Sequence, residues 1–147
     1  MELFEDSSEL FSFVKSVFKN YKQINDNELS IEVDGEANTY NLKIEWLSES
    51  CEIYIEHYGT SPKNSKCALR LYEYLLKANA SMAYIYFSVL EDNRPELKSR
   101  LSLEGLNSSL VQKVLEYIVM YADTHYFNVL NLANNEQAKI ITEEDNE

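Results

Sequence analysis

The sequence predicts an α+β domain in which the elements follow the order α-β-β-β-α-β-β-α and the helices pack on an antiparallel sheet. Two observations lead to this fold class. Apolar residues recur at helical spacing in three segments and alternate with polar residues in the segments between them. The connections between successive strands are a few residues long, whereas a parallel crossover needs about a dozen, so these strands are expected to pair antiparallel.

The first element is predicted to be an amphipathic helix of about four turns. Asp6, Ser7 and Ser8 precede it as capping residues, and Glu9 can complete a capping box. Its apolar stripe at helical spacing consists of Leu10, Val14, Val17, Phe18 and Tyr21. Residues 25–28 are expected to form a turn, because all four favour turns and solvent.

Three strands with a period of two are predicted next, at residues 29–33, 40–46 and 51–55. Asp34-Gly35 and Ser48-Glu49-Ser50 supply the reversals between them. The alternation places one apolar set toward the helices, and His57 is expected to continue that set at the strand end. The set consists of Leu29, Ile31, Leu42, Ile44, Trp46, Ile53 and Ile55.

The second half of the chain predicts a helix, a hairpin and a long final helix. Ser61-Pro62 can open the second helix, which ends near Asn79. Strands are expected at residues 82–90 and 97–103, on either side of a charged turn that contains Pro95. Asn107 or Ser108 caps the last helix, which runs from Leu110 to about Leu132. Its apolar residues cover more than one narrow stripe, so it is expected to be buried on two sides.

The chain is expected to form one domain followed by a tail. With 147 residues it is long enough to bury a sizeable core without disulfides or metal ions. Residues 1–133 are assigned to a single α+β domain. Residues 134–147 carry Glu136, Glu143, Glu144, Asp145 and Glu147 against Lys139 alone, a net charge of −4, and are predicted to form an acidic disordered tail.

The charge balance excludes several function classes. The formal net charge is −12 and no basic cluster is present, so binding to nucleic acid is not expected. The sequence has no run of 18 apolar residues, so no membrane span is predicted. Its first residues do not form a basic segment followed by an apolar one, so no secretion signal is predicted. We therefore expect a cytoplasmic protein.

No catalytic, cofactor-binding or metal site is predicted from motifs. Cys51 and Cys67 lie far apart in the sequence, and His57 and His125 are the only histidines, so no paired zinc motif can be assembled. Cys67 falls near a helix start, where the helix dipole could make it reactive, but a small buried side chain is favoured. An enzyme that uses Cys67 or His125 is a minor alternative.

Tyrosine is the informative residue type, with 11 copies. Alternation places Tyr54, Tyr58, Tyr84 and Tyr86 on the sheet face away from the helices, among mixed charges. Tyrosine adds contact area while it tolerates water, so these four side chains are predicted to contact a protein partner. An equally weighted alternative is that they stabilise the strands by cross-strand pairing.

Five local motifs between Ala68 and Leu132 resemble those of a known family. They are Leu75-Leu76-Lys77-Ala78-Asn79, Tyr84-Ile85-Tyr86-Phe87, Glu91-Asp92-Asn93, Leu101-Ser102-Leu103-Glu104-Gly105-Leu106 and Tyr121-Ala122-Asp123-Thr124-His125-Tyr126. The family is YbjN, bacterial proteins described as sensory transduction regulators, and the resemblance covers about residues 5–132. The sequence departs from it at Ser81-Met82-Ala83, which lacks a glycine frequent there, and in its acidic tail.

The resemblance implies a fold similar to that of class I type III secretion chaperones, which are small, acidic and usually homodimeric and bind extended segments of other proteins. We therefore expect a non-enzymatic adaptor or chaperone that needs no cofactor and holds a protein partner. Val114, Ile118 and Tyr121 are predicted to form a homodimer interface. The alternative is an immunity or inhibitor protein whose acidic surface covers the basic site of a toxin.

Overall fold

A computed structural model describes residues 2–141 of the chain. Its helices are α1 (Ser7–Val17), α2 (Ser65–Asn79) and α3 (Ser108–Asn134). Its strands are β1 (Tyr21–Asn25), β2 (Glu28–Asp34), β3 (Thr39–Trp46), β4 (Ser50–Ile55), β5 (Tyr86–Val89) and β6 (Pro95–Ser102). The strands form one six-stranded antiparallel sheet in the order β1-β2-β3-β4-β6-β5.

The core lies between one face of the sheet, here called the inner face, and the three helices. The alternating apolar residues predicted to point inward are buried, with Leu29, Leu42 and Ile53 at 0% exposure, except Trp46, which is partly buried. Each helix adds side chains to the same buried cluster, for example Leu10 from α1, Leu71 from α2 and Ile118 from α3. Each such leucine or isoleucine contributes about 1.5–3 kcal/mol by leaving water.

The sequence prediction misses one strand. Tyr21 was assigned to the first helix, but α1 ends at Val17 because Phe18 takes an extended conformation, and β1 begins at Tyr21. All five residues of β1 are exposed, since it is an edge strand. It therefore has no alternation of apolar and polar residues that could predict it.

Helix boundaries follow the capping side chains. Asn107 caps α3 as predicted, because its side-chain oxygen accepts the N–H of Leu110 at 2.9 Å. The predicted start of α2 at Ser61-Pro62 is wrong, since Asn64 is its N-cap and accepts the N–H of Cys67 at 2.9 Å. The predicted end at Asn79 is correct.

Residues 135–141 differ from the predicted disordered tail. Arg70 of α2 and Asn128 of α3 donate hydrogen bonds to backbone carbonyls of this segment, and Ala138 is buried. The rest of the predicted tail, residues 142–147, lies outside the described residues.

Candidate protein-binding surface

The sheet face away from the helices, here called the outer face, carries a network of ion pairs across the strands. Lys43 Nζ lies 3.4 Å from carboxylate oxygens of both Glu28 and Glu56. Arg100 donates to Glu52 at 2.6 Å across the β4–β6 pairing. Lys98 then joins Glu52, at 3.5 Å, to Glu96, at 3.2 Å.

These charges lie in an environment that is unusually dry for an open sheet face. Glu52 and Glu96 are only 6% and 8% exposed. Burial opposes the ionisation of Glu52, but hydrogen bonding from Arg100 and the charge of Lys98 lower the pKa of this carboxyl overall. Four acidic groups of the outer face are therefore held in ion pairs with three cations; they are Glu28, Glu52, Glu56 and Glu96.

Tyr54 and Tyr86 lie on the outer face as predicted, one on each side of Lys98. The strand register aligns Tyr54 with Lys98 and Lys98 with Tyr86. The Lys98 ammonium is 5.3 Å from the centre of the Tyr54 ring, and the Tyr54 hydroxyl donates to Glu45 at 2.5 Å. Burial and this hydrogen bond raise the pKa of Tyr54, so its hydroxyl stays protonated as a donor.

The prediction that Tyr58 lies on the outer face is wrong. His57 takes a left-handed backbone conformation, with φ 58°, which interrupts the alternation after β4. Tyr58 consequently turns into the core, where it is 7% exposed and its hydroxyl donates to the carbonyl of Ala122 at 2.7 Å. His57 takes the exposed position instead of the predicted inward one.

Tyr84 is exposed, but it points toward α3 and not along the row of Tyr86. It precedes β5 with φ 64° and stacks on Tyr117 at 6.3 Å between ring centres. Tyr117 in turn contacts Tyr121 at 6.0 Å, and the Tyr121 hydroxyl accepts the N–H of Ala83. We call Tyr84, Tyr117 and Tyr121 the tyrosine cluster. The structure thus joins a predicted partner residue and a predicted dimer residue through Tyr117, which the sequence analysis missed.

Two of the three predicted dimer residues cannot contact a second copy. Val114 and Ile118 are fully buried in the core of the chain itself, at 0% exposure. The wide apolar surface of α3 is covered within the chain by the sheet and by α2. Of the predicted set, only Tyr121 reaches the surface, where it is half-buried.

The two sheet edges differ in their free backbone groups. At the β5 edge, the Asn79 side chain accepts the N–H of Phe87 at 2.6 Å and donates to its carbonyl at 3.1 Å. At the β1 edge, the Asn20 carbonyl accepts the N–H of Glu32. By the alternation of antiparallel pairing, Tyr21 and Gln23 then direct their backbone N–H and C=O groups away from β2. Among the described residues, β1 is the sheet edge that is open to another strand.

The cysteines and His125 lie in packed surroundings. Cys51 and Cys67 are both fully buried, in agreement with the interpretation favoured for Cys67. Burial raises the pKa of the Cys51 thiol to about 12. His125 packs edge-on to the Tyr74 and Phe87 rings, and burial lowers its pKa, so its ring is neutral at pH 7.

Within residues 2–141, no group of three or more His, Cys, Asp or Glu side chains is placed to hold a metal ion. None of the helices in this part of the chain is both long and apolar enough to span a membrane.

A similar fold occurs in a chain of the heterodimeric complex ExoU–SpcU from the type III secretion system of Pseudomonas aeruginosa. The match has a TM-score of 0.52 and 17% sequence identity, and it covers 76% of this chain and 87% of that chain. No family model and no curated protein matches the sequence. The likeness confirms the α+β, type III secretion chaperone-like fold, and the resemblance to the YbjN family stays a prediction.

Proposed function

We propose that this protein is a non-enzymatic, YbjN-like adaptor or chaperone of the cytoplasm that holds an extended segment of another protein. The observation that carries the proposal is the exposed tyrosine surface around β5. Tyr84 and Tyr86 are 50% and 36% exposed, Tyr84 beside α3 in the tyrosine cluster and Tyr86 on the outer face beside Lys98. The fold shared with a chain of a heterodimeric secretion complex supports the same conclusion.

The outer face suits such contact because its charges are already paired. Covering an unpaired charge would cost several kcal/mol, whereas Glu52 and Glu96 are withdrawn from water before any partner arrives. Apolar partner side chains can therefore cover the rings of Tyr54 and Tyr86 and leave the ion pairs through Lys98 intact. Tyr84, two residues before Tyr86, adds a half-exposed ring on the side of α3.

An extended partner segment can also add a strand at β1, the open edge. Backbone hydrogen bonds at Tyr21 and Gln23 would supply affinity without dependence on the partner sequence. The sheet order places β1 five strand spacings from β5, about 24 Å. An extended segment of roughly eight residues spans that distance, so one partner segment can reach both surfaces.

The test uses the partner isolated from the native cell, identified, and then measured with purified components. Tyr84→Ser combined with Tyr86→Ser is expected to weaken binding by about tenfold or more, since buried tyrosines dominate many interfaces. Phe127→Ser, which removes an exposed aromatic ring near the other end of α3, is the matched control and leaves binding unchanged. Equal affinity of the double variant and the wild type would refute the proposed surface.

A homodimer stays part of the proposal, but on a different surface from the predicted one. Leu69 and Leu76 lie seven residues apart on α2 and are each 71% exposed. A second copy that pairs α2 with α2 would remove both from water. Leu69→Glu with Leu76→Glu is expected to give a monomer by analytical ultracentrifugation, and Ser12→Glu with Ser16→Glu, at exposed positions of α1, is the control. A wild-type protein that sediments as a monomer at all concentrations would refute the dimer.

The inhibitor alternative has weaker support, because four of the outer-face carboxylates already lie in ion pairs with Lys43, Lys98 and Arg100. Salt separates the two functions. Capture of a basic toxin would weaken steeply as ionic strength rises, whereas apolar capture by tyrosine rings would change little.

A further inference from the structure

Helices α2 and α3 form a groove between them, and the segment that follows α3 lies in this groove. Residues 136–141, here called the strap, pass over Arg70 and Tyr74 of α2 and reach Asn128 of α3. The groove includes a pocket of about 140 Å³ that Ile140 of the strap lines together with Leu132.

The groove holds the strap chiefly through its backbone. The Arg70 guanidinium donates to the carbonyl of Glu136 at 2.7 Å and also to the carbonyl of Ala138. The Asn128 side chain accepts the N–H of Ile141 at 2.7 Å and donates to the carbonyl of the same residue at 3.0 Å. The backbone N–H and C=O groups of Ile141 are thus both hydrogen-bonded, as they would be if Ile141 paired with a neighbouring strand. Every peptide carries these groups, so the contacts do not require this particular sequence.

Asn128 is built into the groove as a fixed polar group. It is only 5% exposed on a helix whose neighbouring positions are mostly apolar. Its amide nitrogen also donates to the Tyr74 hydroxyl at 3.2 Å, and that hydroxyl is 2.6 Å from His125 Nδ1. In the described residues, the donor to Asn128 Oδ1 is the N–H of Ile141. Without a peptide in the groove, this oxygen would lose that donor and would have to be hydrated by water.

The side chains of the strap show which peptides the groove accepts. Ala138 is 7% exposed, so its position has room for a small residue. Ile140, two residues later, lines the pocket beside charged side chains of α2 and stays 48% exposed. Gln137 and Lys139 are exposed and unrestricted. The groove therefore suits an extended peptide with a small residue at the position of Ala138.

We propose that the groove is a second peptide-binding site, which the strap occupies in cis and which an extended partner peptide with a small residue at the position of Ala138 enters by displacing the strap. The proposal goes beyond the proposed function, because it uses a surface distinct from the tyrosines and from β1. Because the strap is covalently joined to α3, its local concentration at the groove is high, so a partner peptide binds only when the strap is released.

The test uses the full chain and a fluorescein-labelled, end-capped peptide with the sequence of residues 135–141. Ala138→Glu places a charged side chain in the small buried position and is expected to release the strap. Gln137→Glu adds the same charge at an exposed neighbour and is the matched control. Rapid trypsin cleavage after Lys139 reports release. Ile141→Pro, which removes the N–H that Asn128 accepts, is a second release variant without added charge.

We expect the labelled peptide to bind both release variants about tenfold or more tighter than the wild type or Gln137→Glu, because apparent affinity falls with the fraction of open grooves. Adding Asn128→Leu to Ala138→Glu should abolish this binding. The proposal is overturned if the release variants bind the peptide no better than the wild type, if Asn128→Leu has no effect, or if trypsin shows that the strap stays bound. This assay does not depend on Tyr84 or Tyr86. A failure of the groove proposal can therefore be distinguished from a failure of the proposed function.

Discussion

Asp123 fastens α3 to the turn between β2 and β3, and replacing it gives a quantitative test of the fold. Its carboxylate accepts the N–H of Glu36 at 2.9 Å, the N–H of Ala37 at 3.0 Å and the hydroxyl of Tyr40 at 2.8 Å. The turn approaches so closely that a Cβ added at Gly35 would lie 2.5 Å from Asp123 Oδ1. The Asp123 carboxylate therefore accepts three hydrogen bonds, and the turn comes so close to it that only glycine fits at position 35.

In Asp123→Asn, the amide oxygen can keep the bonds of Ala37 and Tyr40, which share Oδ1, but the amide NH2 then faces the N–H of Glu36. One hydrogen bond to a charged group is lost, so the free energy of unfolding should fall by about 1.5–3 kcal/mol. Urea unfolding followed by Trp46 fluorescence measures this change. Asp26→Asn, the same substitution at an exposed turn, is the control and should stay within about 0.5 kcal/mol of the wild type.

The same carboxylate predicts a pH dependence. Burial opposes its ionisation, but the backbone hydrogen bonds from Glu36 and Ala37 and the bond from Tyr40 lower the pKa of Asp123 overall. A lowered folded-state pKa contributes stability that is complete above the unfolded-state pKa, about 3.9, and is lost as the pH falls through the folded-state value. The difference between wild type and Asp123→Asn should be constant from about pH 6 to 8 and shrink below about pH 4. A difference below about 0.5 kcal/mol at pH 7 would refute the reasoning, as would one that does not change on acidification.

Three further predictions concern buried groups and the sheet edge. Tyr58→Ser should lower the free energy of unfolding by about 3–5 kcal/mol, whereas Tyr84→Ser should change it by less than about 1 kcal/mol, and equal effects in urea unfolding would contradict their placement. Cys51 and Cys67 should react with a thiol reagent such as DTNB only after unfolding, so rapid labelling of the native protein would argue against their burial. Asn79→Ala should free the β5 edge and increase self-association in light scattering, and unchanged scattering would show that this side chain does not protect the edge.

Alternation in the sequence predicts the inner face correctly where the backbone stays extended. Leu29 in β2 and Ile44 in β3 are buried as expected, because a period of two places them on the same face of one sheet. At His57 the left-handed conformation reverses the alternation. Histidine adopts that conformation only rarely, so no residue pattern announces it. Tyr58 consequently enters the core although its spacing from Tyr54 predicts the outer face.

The sequence could not show which partner covers an apolar helix face. The wide stripe on α3 correctly predicts burial on two sides, but Val114 and Ile118 meet elements of their own chain rather than a second copy. The backbone contacts of Asn79 and Asn128 also lie beyond sequence reasoning. The sequence shows an asparagine within a helix, but it does not show that tertiary packing brings the backbone of another segment within hydrogen-bond distance of the side-chain amide.

The central claim is that the exposed tyrosine surface around β5 binds another protein. Site-specific photo-cross-linking tests this claim most directly. A photoreactive phenylalanine analogue at position 86 or 84 in the full chain, activated in the native cell, should form a covalent adduct with one discrete protein that mass spectrometry identifies. The same analogue at exposed position 127 of α3 should give no such adduct. No adduct at 84 or 86, or the same adduct at all three positions, would contradict the account.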